Sequence, residues 1–138
     1  MIASSSAPWG GVTVLDNNTD VHRAILSRSW FDRAGKIQFQ AFLLRLEDNE
    51  RDLSVTNPAA CSPARLCGAF RTCFGVLRLN VGSVRSLALD VLPDSGPGPH
   101  GCNHGRITGL PTTEAERDEA ERFARQLARS AIVEWWKP

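Results

Sequence analysis

The segment HGCNHGRITGLP, at positions 100–111, holds two of the chain's three histidines and one of its four cysteines. Imidazole and thiolate groups are common zinc ligands, and they also serve as bases and nucleophiles in enzymes. One alternative for this glycine-rich loop is therefore a zinc-stabilised domain, with Cys102, His100 and His104 as ligands together with one further residue. A second alternative is a catalytic site that uses His104.

The other three cysteines have a spacing that disfavours a structural metal site. Cys61, Cys67 and Cys73 are each six residues apart, whereas zinc sites usually take ligand pairs separated by about two to four residues. On a single helix Cys67 and Cys73 would point about 120° apart, so both could not face one ion. We therefore expect these cysteines to be small core residues, and we predict no metal or other cofactor.

His104 stands at the start of an apolar segment, GRITGLP, where its side chain could meet a substrate. Histidine is the side chain that exchanges protons near neutral pH without help from its surroundings. Cys102 is only two positions away, and neither residue follows the pattern of a nucleophile elbow, so a thiolate–imidazole pair within the loop is disfavoured. A partner for His104 must therefore come from a distant part of the chain.

The rest of the chain alternates short strands with helices. A period of two in the apolar residues predicts strands at 36–46, 53–56, 76–81 and 87–93, with a short apolar segment at 106–110. A central helix is predicted from Ser62, a good N-cap before Pro63, to Gly75, which can end it. A helical turn is predicted at 82–86.

The C-terminal segment 113–136 predicts a long amphipathic helix. Thr113 and Glu116 have the spacing of a capping box, and apolar residues recur at i, i+3, i+4 and i+7 along the segment. Trp135 and Trp136 would end this helix. Because two adjacent tryptophans cannot both face one core, we predict that this pair binds a protein partner; the alternative is that each ring is half-buried at the edge of the domain.

These elements indicate an α+β fold: a small antiparallel sheet packed by the central helix and by the long C-terminal helix. A chain of 138 residues suits one domain with one core. Residues 1–20, rich in Ser, Gly, Pro and Asn, are predicted to be a flexible arm. Residues 21–138 are predicted to form the single domain.

The charge balance and the N-terminus limit the partners and the compartment. Sixteen Lys and Arg against fifteen Asp and Glu leave a net charge of +1, so nothing indicates binding to nucleic acid, which needs a basic surplus. The apolar runs are far shorter than the roughly 20 residues that cross a bilayer. The first twenty residues lack a basic region followed by a continuous apolar run, so we expect no secretory signal, a cytoplasmic protein and reduced thiols.

Several short motifs follow one another in order between residues 28 and 110. The series resembles a group of small uncharacterised bacterial proteins that share G-[RK]-[IV]-x-x-x-A-F, then L-S-V, a central helix, G-V, a G-L-x-V-like strand and H-x-x-I. The matching positions are Gly35, Lys36, Ile37, Ala41, Phe42, Leu53, Ser54, Val55, Gly75, Val76, Leu87, Leu89, Val91, His104 and Ile107. Two positions depart from the pattern: Ala88 replaces a glycine, and Phe39 replaces a polar residue.

The resemblance implies a fold rather than a reaction, because no activity is attached to the group. It implies that Ser54, His104 and Arg28 recur as polar positions among apolar ones, so these are the candidate catalytic residues. The tail at 112–138 is an addition to the shared pattern.

Two hypotheses of function follow. The first is a small protein-interaction module or accessory subunit, such as a component of a bacterial toxin–antitoxin or phage-defence system, that binds its partner through Trp135 and Trp136. The second is a small hydrolase or transferase that uses His104 with Ser54 or Arg28. The second requires these polar side chains to approach within hydrogen-bonding distance, roughly 3 Å, on a shared pocket.

Overall fold

The computed structural model describes residues 9, 12–94, 98 and 101–138. The strands in these residues are β1 (Asp20–Ile25), β2 (Leu53–Thr56), β3 (Gly75–Asn80), β4 (Asp90–Pro93), β5 (His104–Thr108) and β6 (Ile132–Trp136). They form one antiparallel sheet in the order β4-β5-β2-β1-β3-β6. The α-helices are α1 (Pro63–Gly68), α2 (Val81–Arg85) and α3 (Arg117–Ser130). The predicted α+β fold class is confirmed.

The hydrophobic core lies between one face of the sheet and helix α3. Alternate strand residues point to this face, and Val21, Leu79 and Ile107 are fully buried there. The apolar stripe of α3 covers them with Ala124 and Leu127, which are also fully buried. Burying a Val or Leu side chain contributes roughly 1.5–3 kcal/mol, so this stripe, and not the surface charge pairs, holds the helix on the sheet.

The opposite face of the sheet is polar except where α1 covers it. Ser62 caps this helix as predicted, its hydroxyl accepting a hydrogen bond from the Arg65 amide at 3.2 Å. Leu66 of α1 belongs to a second buried cluster with Ala24 and Val76 of the sheet. The remainder of this face is open, and the polar strand residues on it are those discussed below as a site.

All four cysteines are paired in disulfides, so the expectation of reduced thiols is wrong. Cys61 is bonded to Cys102, and Cys67 is bonded to Cys73. Helix α1 ends at Gly68 instead of continuing to its predicted end, and the chain then turns back, which brings the Cα atoms of the second pair to 5.4 Å. Cys67 and Cys73 would point about 120° apart only on a continuous helix, and the two residues do not lie on one.

The predicted strand at 36–46 is not formed. Ile37 makes an isolated bridge to Phe31, and a 3₁₀ turn (Phe39–Phe42) buries its last two residues against α3. Both alternating sets of positions in this segment carry apolar residues, so an edge strand would leave one apolar face in water. The tight turn instead buries residues from both sets.

The C-terminal segment is a helix followed by a strand, and the predicted helix over 113–136 is wrong at both ends. A 3₁₀ turn (Glu114–Glu116) precedes α3, and β6 pairs with β3 after α3 ends. The sequence IVEWW is β-branched and aromatic, which favours a strand, and pairing with β3 satisfies the backbone groups on the side of β6 that faces β3. In this strand Trp135 and Trp136 point to opposite faces of the sheet.

Part of the segment 1–20, predicted to be a flexible arm, packs on the domain. Trp9 and Leu15 are core residues. The Trp9 ring fills a space that Gly105 leaves, because a Cβ there would lie 2.6 Å from the ring. The Leu15 carbonyl accepts a hydrogen bond from Arg85 Nη1 at 2.6 Å.

The remaining short elements lie close to their predicted positions. Strands β2, β3, β4 and β5 and the helical turn α2 overlap the ranges that the apolar periodicity indicates. Strand β1, at the centre of the sheet, has no counterpart among the predicted elements. None of the helices in the described residues is long and apolar enough to cross a membrane.

Candidate active site

Strand pairing places several polar side chains together on the open face of the sheet. In the register of β2 and β5, Ser54 lies opposite Arg106, and the next residue on that face, Thr56, lies opposite His104. Ser54 is therefore a diagonal neighbour of the histidine. Strand β4 flanks β5 on the other side and ends beside the histidine, where the Asp94 amide donates a hydrogen bond to the His104 carbonyl at 2.9 Å.

The His104 imidazole connects Ser54 with Asp94. Its Nε2 lies 2.9 Å from the Ser54 Oγ, and its Nδ1 is hydrogen-bonded to the Asp94 Oδ2. With the ring proton on Nδ1 and directed to the carboxylate, Nε2 accepts from the serine hydroxyl. This is the arrangement in which a histidine removes a proton from a serine. We call these residues the Ser54–His104–Asp94 triad.

A neighbouring arginine fixes the carboxylate of the triad. Arg106 Nε donates to the Asp94 Oδ1 at 2.8 Å, and Arg106 Nη1 lies 3.6 Å from the Asp52 Oδ2. Burial alone would raise the pKa of Asp94, but the hydrogen bonds from His104 and Arg106 outweigh burial and hold this pKa below its usual value. The carboxylate is therefore ionised at neutral pH, as a residue that orients a histidine must be.

The turn that leads into His104 is held by the disulfide between Cys61 and Cys102. Asn103 adopts a left-handed conformation with a φ of 55°, which asparagine tolerates better than most residues. The Asn57 amide donates to the carbonyls of Cys102 and Asn103 at 3.0 and 3.1 Å. These contacts join the end of β2 and the start of α1 to the start of β5, so they position the histidine relative to the serine.

A cavity of about 220 Å³ lies beside the triad, between α1 and the sheet. Ser54 and His104 both line it. Its apolar wall is formed by Leu26, Trp30, Val55, Leu66, Ala69 and Phe70. A mostly apolar cavity with a few converging polar groups is the usual form of a small-molecule site. A small apolar group bound here would lie next to the serine hydroxyl.

Buried polar residues line the same cavity. Arg23 lies where β1 and β2 separate, and it donates from Nε to the Ala41 carbonyl at 2.9 Å and from Nη1 to the Ser54 carbonyl at 2.8 Å. His22 and Thr56 are buried beside it. The His22 Nδ1 and the Thr56 Oγ1 have no hydrogen-bond partner among the described residues. Buried polar atoms are normally paired, so these atoms are suited to meet a ligand.

Protonation of His22 should destabilise the fold. Burial lowers the pKa of His22 below its usual 6.5, against a smaller opposite effect of Glu134. Because the pKa of His22 is then lower in the folded protein than in the unfolded chain, the unfolded chain binds the proton more tightly. The contribution of neutral His22 to stability is complete above the pKa of the unfolded chain and is lost as the pH falls through the pKa of the folded protein. We expect the midpoint of urea unfolding to be lower at about pH 5.5 than at about pH 7.5, and this difference to be smaller in His22→Asn. An equally steep decrease in the variant would contradict this assignment.

Two of the sequence hypotheses lose residues in the structure. Arg28 is exposed outside the cavity, with its guanidinium 5.0 Å from the centroid of the Phe74 ring, so it does not join the serine and the histidine. His100 lies outside the described residues. Cys102 is bonded to Cys61, so its sulfur is not a thiolate ligand. In the described part of the chain no group of three or more His, Cys, Asp or Glu residues could hold a metal ion.

The two C-terminal tryptophans differ in exposure because they lie on opposite faces of β6. Trp136 is 41% exposed, and its ring packs edge-on against Phe31 with 5.0 Å between centroids. Trp135 packs against the buried cluster that contains the Cys67–Cys73 disulfide. A partner that binds through both tryptophans stays a prediction.

Sequence reasoning identified two residues of the triad and missed the third. Ser54 is implied by the resemblance of the short motifs, and His104 is indicated also by its residue type at the start of an apolar segment. Asp94 carries a weaker signal: it follows the proline that ends a predicted strand, and only a loop separates it from the histidine. Arg23 carries no signal of its own, because the segment DVHRAI lacks a regular apolar period.

Comparison of the chain with protein-family models, with curated proteins and with solved structures finds no match. The family resemblance suggested by the short motifs therefore stays a prediction.

Proposed function

We propose that this protein is a small hydrolase that cleaves an ester or a similarly activated acyl compound with Ser54 as the nucleophile. The observation that carries the proposal is the unbroken connection from the Ser54 hydroxyl through His104 to the Asp94 carboxylate, at the edge of an apolar cavity. The same connection is the basis of serine-dependent acyl transfer on several unrelated folds.

The roles follow from which atoms face each other. As the Ser54 Oγ attacks the carbonyl carbon of the substrate, the His104 Nε2 accepts the hydroxyl proton, and Asp94 stabilises the imidazolium through Nδ1. When the bond to the leaving group breaks, His104 returns this proton to the leaving oxygen. A water molecule, deprotonated by the same nitrogen, then hydrolyses the acyl ester on Ser54 and regenerates the serine.

Accessibility supports this role over a purely structural one. The His104 side chain is 29% exposed and Ser54 is exposed, so substrate can reach both from the cavity. A network that served only to join β2, β4 and β5 would gain little net stability at such exposure, because water competes for each hydrogen bond. The orientation of the imidazole by an ionised carboxylate is what acid–base chemistry requires.

The interaction-module hypothesis is the alternative. A protein partner, whether in a toxin–antitoxin or phage-defence system or elsewhere, would use the exposed ring of Trp136 and leave the triad unexplained. Arg28 has no part in the proposed reaction, because it lies outside the cavity. The triad favours the hydrolase.

The two disulfides favour an oxidising compartment over the cytoplasm as the place where the hydrolase works. Disulfides persist where thiols are not kept reduced, and they are rare in the cytoplasm of most organisms. The Cys61–Cys102 disulfide also supports the turn before His104. A non-reducing compartment is therefore the one in which the site stays assembled.

The proposal is tested by covalent labelling with a fluorophosphonate probe, which reacts with activated serines. We expect one adduct, on Ser54, identified by mass spectrometry of the digested protein. His104→Ala should abolish the adduct, because the hydroxyl then lacks a base. Ser29, an exposed serine outside the cavity, serves as the internal control. Labelling of Ser54 no faster than that of Ser29, or no faster than in the unfolded chain, would refute the proposal.

A further inference from the structure

A buried cation lines the cavity, and it makes no ion-pair contact with a carboxylate of the described residues, although the charge of Glu50 acts on it at longer range. Arg23 is buried in the middle of the sheet, and none of the acidic side chains among the described residues lies within ion-pair distance of it. Glu50, which also lines the cavity, is paired with Arg45 at 2.9 Å. Buried charges in proteins are normally paired or bind an ion or a ligand.

The hydrogen bonds of Arg23 leave part of its guanidinium unused. Nε and Nη1 each donate to a backbone carbonyl, those of Ala41 and Ser54, whereas Nη2 has no acceptor among the described residues. The Trp30 ring, with its centroid 5.1 Å from Cζ, and the Phe42 ring, at 5.8 Å, both lie within cation–π distance of the group. The two hydrogen bonds thus fix the orientation of the guanidinium and leave the Nη2 donors available to a ligand.

The charge of this group persists at neutral pH. Burial lowers the pKa of Arg23 to about 10, which is still well above neutrality. A cation held in an apolar cavity attracts an anion more strongly than one in water, because the local dielectric is low.

We infer that the cavity binds a small apolar molecule that carries a carboxylate, and that Arg23 holds this carboxylate. The inference rests on the proposed function in one respect: the substrate of the hydrolase is then an ester with a free carboxylate elsewhere in the molecule. A planar guanidinium matches a carboxylate in shape. A phosphate group is less suited, because the described residues that line the cavity include no cluster of further Lys or Arg side chains beside the already paired Arg45.

The apolar wall defines the rest of the ligand. Trp30, Leu66 and Phe70 offer aromatic and aliphatic surface. The buried His22 Nδ1 and Thr56 Oγ1 lie along the same cavity, without a hydrogen-bond partner in the part of the chain that the structure describes. A ligand with a short aromatic or aliphatic body between its carboxylate and its ester fits this distribution.

The test measures binding to the Ser54→Ala protein, so that hydrolysis does not interfere. The probes are 3-phenylpropionate and its uncharged isostere 3-phenylpropionamide, titrated by NMR or calorimetry. We expect the carboxylate to bind at least about tenfold more tightly than the amide, which is the usual value of a charge-assisted hydrogen bond. Equal affinities, or binding of neither probe, would overturn the inference.

Variants of Arg23 test its role. Arg23→Gln should remove the preference for the carboxylate while leaving the amide affinity within about threefold, since only the charge contact is lost. Arg28→Gln, which removes an equivalent charge outside the cavity, should keep the preference. Arg23→Gln also loses hydrogen bonds to two backbone carbonyls, so circular dichroism is recorded with each titration to check that the variant is folded. The comparison of the two probes on the Ser54→Ala protein does not depend on this variant. A preference retained in folded Arg23→Gln would overturn the assignment to Arg23.

The two proposals fail in different ways. A protein that prefers the carboxylate but whose Ser54 is not labelled by fluorophosphonate would keep the anion site and lose the hydrolase. A protein that is labelled on Ser54 but does not distinguish the probes would keep the hydrolase and lose the carboxylate site.

Discussion

Ser54→Ala should lower kcat/KM for the hydrolysis of p-nitrophenyl butyrate by at least about a thousandfold. The alanine removes the only atom that attacks the ester, and the remaining groups can do no more than bind the substrate or activate water. The fold should be unaffected, because Ser54 is exposed on β2 and loses one hydrogen bond, that to His104. We expect the free energy of unfolding to change by less than about 1 kcal/mol. The release of p-nitrophenol and urea unfolding are the measurements.

Graded variants distinguish catalysis by the triad from reaction at an unrelated nucleophile. Asp94→Asn should lower kcat/KM less than Ser54→Ala does, because Asp94 is partly exposed and water can orient the imidazole in its place. Ser29→Ala, outside the cavity, should have no effect. If Ser54→Ala keeps the wild-type rate, the hydrolysis comes from another group and the proposed function is wrong.

Removal of the Cys61–Cys102 disulfide should destabilise the protein by about 4 kcal/mol. This disulfide closes a loop over a sequence separation of 41, and cross-linking distant positions restricts the unfolded chain strongly in the chain-entropy model. The double variant Cys61→Ala/Cys102→Ala, unfolded in urea without reductant, gives the measurement. Hydrolysis should decrease as well, because the turn before His104 loses its anchor.

The second disulfide is the matched control. Cys67 and Cys73 are also buried, but their sequence separation is only 6, so the same model assigns about 2 kcal/mol to this pair. Cys67→Ala/Cys73→Ala should therefore be the more stable of the two double variants and should retain more hydrolysis. The reverse order of stability would contradict the loop-length argument.

Local patterns predicted several elements because the apolar side chains there obey one period. The alternation in VLRLN predicts β3, the Ser62–Pro63 start predicts α1, and the apolar stripe from Ala120 to Ile132 predicts α3. Prediction failed where two patterns compete. The segment IVEWW continues the helical stripe, yet its β-branched and aromatic residues also favour a strand. Pairing with the free edge of β3 stabilises the strand.

The same limit applies to the centre of the sheet. Strand β1 carries His22 and Arg23 at buried positions, so its hydrophobic period is hidden. Only the tertiary fold brings the carbonyls of Ala41 and Ser54 and the nearby aromatic rings to Arg23, and these contacts make its burial tolerable. The pairing of the cysteines failed for a related reason, because it depends on where α1 ends.

By itself the sequence determined the α+β class, the docking of the C-terminal stripe, and Ser54 and His104 as the polar residues to examine. The fold class and the docking follow from local periodicity, which short stretches of chain carry, and His104 follows from its residue type. Ser54 follows from the resemblance of the short motifs. The tertiary structure alone decided that Asp94 completes the triad, that the buried Arg23 faces the cavity, and that the cysteines pair. Each of these depends on strand register and chain reversal, which join residues far apart in the sequence.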